Sequence, residues 1–212
     1  MRFASGMRFS GIWLHAITAS ASLSHIASLR CSDNDILPTP SYDLKGALFT
    51  VCTEDVINAP ISKIYDALLD FRRYSTWNTF VVEVDLPSDV QGPEDVYPGL
   101  SMNFTTAGII PGANTSSTEV IALLAPDVRG CNGDARRAVN AWGNDDGLGG
   151  AFLPAEHPNL LTDLGNGSAR MVSYETYYLP GATTLLPLRE TLQERFETQG
   201  RDLKRFVEEG FR

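Results

Sequence analysis

The chain has 212 residues, 43% hydrophobic and 20% charged, ordinary for a globular protein and long enough for one domain plus an extension. Its net charge is −9; Arg2, Arg8 and Arg30 precede the first acid, Asp33, so the remainder carries 14 basic against 26 acidic residues. An acidic domain without a Lys/Arg stripe argues against nucleic acid and anionic membrane surfaces as partners, and no stretch is apolar enough to span a bilayer.

The N-terminus comes first. Two arginines, then a serine-rich apolar stretch with Ala19-Ser20-Ala21, have the outline of a secretory signal. His15 and the serines weaken the apolar run, and the acid-free composition would equally suit a mitochondrial presequence. Localisation stays open: cytoplasmic, or secreted if residues 1–21 are a signal peptide. Residues 32 to 46, with two prolines among turn formers, read as a linker. The chain therefore divides into residues 1–45, an extension or leader plus linker, and residues 46–212, the folded domain. Cys31, Cys52 and Cys131 show no paired spacing, so neither a zinc site nor a disulfide framework is predicted. Cys52 reads as a small core hydrophobe, and a Cys31–Cys131 bridge stays open if the protein is secreted.

Phe49, Val51 and Ile57 alternate with Thr50, Cys52 and Val56 and predict a strand. Pro60 suits the first position of a helix whose apolar face is Ile61, Ile64, Tyr65, Leu68 and Leu69. An aromatic corner at Trp77 follows, then strands over Phe80–Leu86, Leu100–Ala107, Ser117–Ala125 and Ala135–Trp142. The segment Ile109–Ser117 reads as a turn and Gly147–Gly150 as part of a flexible loop too short to cradle a phosphate. Phe152–Leu161 and Arg170–Leu179 pair across Leu164-Gly165-Asn166-Gly167, where Asn-Gly is a hairpin signal. The final helix begins near Pro187 and repeats Leu188, Leu192, Phe196, Leu203, Phe206 and Val207 at three- and four-residue intervals. Gly200 interrupts it, either widening a cavity or permitting a close packing contact.

This order, one strand, a helix pair, a run of strands and a long last helix, resembles the START-like superfamily. The resemblance is carried by Val56–Val84 (VINAPISKIYDALLDFRRYSTWNTFVVEV) and continues more weakly through Ala155–Gly181 and the final helix. That superfamily includes polyketide cyclases and dehydrases, coenzyme Q-binding proteins, lipid-transfer domains and birch-pollen-allergen proteins. The resemblance implies an α+β helix-grip fold, in which a curved antiparallel sheet wraps a long C-terminal helix around an apolar cavity. It also implies a small hydrophobic molecule as partner and no cofactor. Two functions follow: a polyketide cyclase-like non-redox enzyme (cyclisation, aldol or dehydration) of specialised metabolism, or a non-catalytic carrier of a lipid, quinone or terpenoid. A secreted defence or allergen-like protein is a third, and would need a cleaved leader.

The usual catalytic signatures, G-x-S-x-G, P-loop, H-E-x-x-H and the dinucleotide fingerprint, are missing. His157 is the only histidine of the domain, so a multi-histidine metal site cannot form there. The candidate catalytic residues are His157, Glu175 and Tyr177, as base, acid and oxyanion donor in a desolvated cavity. The candidate ligand-binding residues are Trp77, Phe104, Trp142, Tyr174 and Phe196. The alternative for each is structural: a satisfied strand histidine, a solvent-facing glutamate, and aromatics that pack the core.

Overall fold

A computed structural model of the chain describes residues 23–129, 135–144 and 152–210. The leader reading of residues 1–21, Cys131 and Gly147–Gly150 lie outside these residues. The strands are β1 (Ala47–Ile57), β2 (Val81–Asp85), β3 (Ser101–Ile110), β4 (Ala113–Val128), β5 (Arg137–Asn144), β6 (Ala155–Asp163) and β7 (Ala169–Tyr178). They form one antiparallel sheet in the order β1-β7-β6-β5-β4-β3-β2, so a six-strand meander closes back onto the first strand. Between β1 and β2 lie two short helices, α1 (Ile61–Leu69) and α2 (Tyr74–Trp77), joined by a 3₁₀ turn; α3 (Arg189–Glu209) ends the chain.

Period two decides which side chains meet α3. Phe49, Val51 and Ile57 from β1, Trp142 from β5, Leu161 from β6 and Met171 from β7 point inward. There they join Leu192, Phe196, Leu203 and Val207, the buried stripe of α3. Each fully buried side chain of this size contributes about 1.5–3 kcal/mol, so the helix is held by its apolar stripe. Gly200 lies on that stripe. A Cβ there would stand 2.8 Å from the Asp55 carboxylate and 3.0 Å from the Thr53 hydroxyl, so the glycine permits close packing of α3 on β1.

The opposite face of the sheet is also covered, and the linker reading of residues 32 to 46 needs correction. Ile26, Ala27, Leu29 and Leu37 cover Val128, Val139, Leu160 and Val172 in a second core. The Leu37 amide donates to Thr50 Oγ1 and the Leu37 carbonyl accepts from Thr176 Oγ1. Ser41 donates through its amide and hydroxyl to the fully buried Glu156. Contrary to expectation, Cys31 and Cys52 form a disulfide, with Cα atoms 5.6 Å apart. Their separation of 21 residues carries no local signal; the pair forms because the N-terminal segment doubles back along the outer face of β1.

The remaining differences are boundaries. Pro60 caps α1 one position before its first turn, its carbonyl accepting from the Lys63 amide. The turn expected over Ile109–Ser117 is only Pro111-Gly112, with Gly112 at φ +77°, because β3 and β4 run on to pair Ile110 with Ala113.

Candidate functional site

Between α3 and the inner face of the sheet lies a cavity of about 220 Å³, walled mainly by Phe80, Phe104, Trp142, Leu188, Leu192 and Phe196. Its titratable groups come from separate strands, Glu119 from β4, His157 from β6, and Glu175 and Tyr177 from β7; Gln199 of α3 and the neutral Thr106, Thr115, Ser116, Ser117 and Asn144 complete its polar lining. Alternation fixes this: Glu175 and Tyr177 share the inward face of β7 with Met171, while Tyr174 and Val172 face outward.

The Tyr177 hydroxyl donates to Glu175 Oε2 at 2.6 Å, a short charge-assisted bond when the carboxyl is ionised. Burial pushes the Glu175 carboxyl up to about 7, against the opposing effect of that hydrogen bond. Burial pushes Glu119 up to about 8; the negative charge of Glu175 adds to the shift and a hydrogen bond from Ser117 opposes it. Tyr177 is raised well above its ordinary value, by burial first and then by Glu175.

His157 behaves differently. Its ring lies between Trp142 and Phe196, with centroids 4.5 and 4.8 Å away, and Nε2 is 2.8 Å from Ser173 Oγ. Burial drives the imidazole down to about 3, with the Asn159 side chain opposing, so it is neutral at physiological pH.

Six of the eight residues singled out in the sequence line the cavity: His157, Glu175, Tyr177, Phe104, Trp142 and Phe196. Two do not. Tyr174 belongs to the outer core, its hydroxyl donating to the Pro38 carbonyl at 2.6 Å. Trp77 packs on Tyr74 and stacks on Phe206, with centroids 5.6 Å apart, in a separate groove between α2 and α3. Sequence reasoning missed Glu119 and Gln199. The signals were present: Glu119 shares the inward face of β4 with Ile121, and Gln199 falls between Phe196 and Leu203 on the apolar stripe of α3. Among the described residues, no cluster of three His, Cys, Asp or Glu side chains is placed to hold a metal ion, and no helix is long and apolar enough to cross a membrane.

No family model and no curated protein sequence matches the chain. Solved structures do. A hypothetical protein of Helicobacter pylori aligns at TM-score 0.58 and 12% identity over 84% of this chain and 99% of its own. Norcoclaurine synthase of Thalictrum flavum, solved as a point mutant with a transition-state analogue, aligns at 0.54 and 12% over 77% and 96%. A START superfamily protein of Mycobacterium smegmatis aligns at 0.50 and 14% over 76% and 97%. At these identities the likeness speaks to architecture alone. A seven-stranded curled sheet gripping a long C-terminal helix, with two short helices after the first strand, gives this chain the START-like, helix-grip fold.

Proposed function

We propose that the protein binds a small hydrophobic molecule in the inner cavity and acts on it as a cyclase-like, non-redox enzyme catalysing cyclisation, aldol addition or dehydration. One observation carries this reading: an apolar cavity holds two carboxyl groups, Glu119 and Glu175, which burial pushes up to about 8 and about 7, just above and at neutrality. A carboxyl poised there can give or take a proton at working pH, whereas an exposed one is fully ionised. Glu175 acts as the general acid or base and the Tyr177 hydroxyl orients it. Glu119 supplies the complementary protonation state. The role of base first assigned to His157 moves to the carboxyls, because an imidazole with a pKa of about 3 is too weak a base; its neutral ring forms a wall of the site.

The cavity volume favours the small end of the substrate range. Pockets for drug-sized ligands run to roughly 300–1,000 Å³, so a cavity of about 220 Å³ suits a single ring or short chain better than an extended polyketide. The disulfide favours the secreted alternative, since such bonds persist in oxidising compartments.

The carrier reading has an observation of its own: His157 is engaged by Ser173 and both flanking rings, as a structural residue would be. The test is native mass spectrometry of the purified protein, combined with incubation in an extract of small hydrophobic metabolites. The enzymatic reading expects a compound consumed by wild type and spared by Glu119→Gln/Glu175→Gln. Release of a bound compound unchanged, with no consumption by wild type, would establish the carrier instead.

A further inference from the structure

The charged groups of the cavity are unbalanced. Glu119 and Glu175 both line it, and among the described residues lining it there is no lysine or arginine. Arg195, also on α3, runs along Gly108 of β3 and is not part of the wall. The other titratable groups facing the pair are Tyr177, which donates to Glu175, and His157, held neutral between two rings. Gln199 lines the same cavity from α3, is 6% exposed, and its Oε1 has no hydrogen-bond partner. Three elements thus bring acceptor groups to one largely apolar space, and no cation lines it to balance the buried Glu119 carboxylate and the half-buried Glu175 carboxylate. A proton is one solution, and burial holds one there near neutrality. A cationic guest is the other.

We propose that the cavity takes a small apolar amine, bound as its ammonium ion by Glu119 and Glu175, with its hydrocarbon body against Trp142, Phe104 and Phe196. The proposal rests on the reading that the cavity holds a hydrophobic guest, and it names the charged group of that guest. An ammonium ion has three N–H donors, matching the two carboxylates and the unpartnered Gln199 oxygen. Trp142, Phe104 and Phe196 line the same cavity and give the hydrocarbon body of the amine apolar contact. Binding displaces the proton that the carboxyl pair retains, so amine affinity rises with pH while the amine itself stays protonated.

The test is calorimetric titration of the full chain with benzylamine and with its neutral isostere benzyl alcohol, at pH 6 and pH 8, each in two buffers of different ionisation enthalpy. The expected result at pH 8 is benzylamine binding at least tenfold tighter than the alcohol, with proton release. That preference shrinks at pH 6 and disappears in Glu119→Gln/Glu175→Gln, which still binds benzyl alcohol and so reports a folded cavity. Benzyl alcohol binding as tightly as the amine at pH 8, or an amine preference that survives the double substitution, overturns the proposal and leaves the hydrophobic cavity standing. Binding of neither compound overturns both.

Discussion

Gly200 shows how the size of one side chain sets the fit of α3 on β1. A methyl there approaches the mobile end of Asp55, which can turn away, and the hydroxyl of Thr53, which the strand holds in place. Replacing a mid-helix glycine by alanine gains about 1 kcal/mol of helix propensity, which offsets much of that crowding. We expect Gly200→Ala to be near neutral in urea denaturation and Gly200→Leu to lose about 1–3 kcal/mol, the usual penalty of overpacking. A Leu variant as stable as wild type would show that α3 can lift from β1 without loss. Legibility in the sequence followed the same logic. Glu175 and Tyr177 were readable because their strand alternates cleanly with Met171. Tyr174 was misplaced because tyrosine suits either face of a strand, and its partner, the Pro38 carbonyl, comes from a segment that reads as linker. Glu119 went unread because, by alternation, both faces of its strand carry apolar residues, Ile121 and Leu123 on its own and Val120 and Leu124 on the other, so the pattern alone does not say which face is inward.

At the scale of elements, the strands and helices were legible from periodicity; the covering of the outer face was not. Residues 26 to 41 contain no periodic run, and they are ordered by contacts that only the sheet provides: Thr50, Thr176 and Glu156 as hydrogen-bond partners, Val139 and Val172 as apolar floor. The Cys31–Cys52 bridge ties this segment to β1, and Arg30 adds an ion pair with Glu54. Closing a loop of that size restricts the unfolded chain and contributes about 3 kcal/mol. Cys31→Ser/Cys52→Ser should therefore lower stability by about 2–4 kcal/mol and speed proteolysis within residues 26 to 45. Because this core and the cavity occupy opposite faces of the sheet, ligand affinity should change less than twofold. A large loss of affinity in a variant that remains folded would show that the two faces are coupled.

For the molecule as a whole, the cavity sets how stability depends on pH. The His157 imidazole has a pKa of about 3 when folded and about 6.5 when unfolded. Its contribution is complete above the unfolded value and is lost as pH falls from about 6.5 towards 3. Glu119 and Glu175 run the other way: their pKa values of about 8 and 7 lie above the unfolded value of about 4.3. Their contribution is complete below that value and is lost as pH rises through 7 and 8. Between about pH 4.3 and 6.5 the folded state holds two protons that the unfolded state lacks, and lacks one that the unfolded state holds, so stability falls with pH. Between about 6.5 and 7 the histidine no longer opposes the pair and the decline is steepest, each proton being worth about 1.4 kcal/mol per pH unit; it eases as Glu175 ionises near 7 and levels off once Glu119 ionises near 8. Asp66, on the exposed side of α1, and the half-buried Asp70, both raised mainly by desolvation, act in the same direction but weakly. These groups together place maximum stability in the acid range, at about pH 4–5, below the pH 5–8 usual for globular proteins. Denaturation curves from pH 3.5 to 9 should show that maximum in wild type. In Glu119→Gln/Glu175→Gln the alkaline decline should flatten while the acid limb, which belongs to His157, persists. A wild-type profile that is level between pH 5 and 8, or a double variant that keeps the full decline, would mean that the two carboxyls are hydrated in the folded protein and titrate as ordinary surface groups.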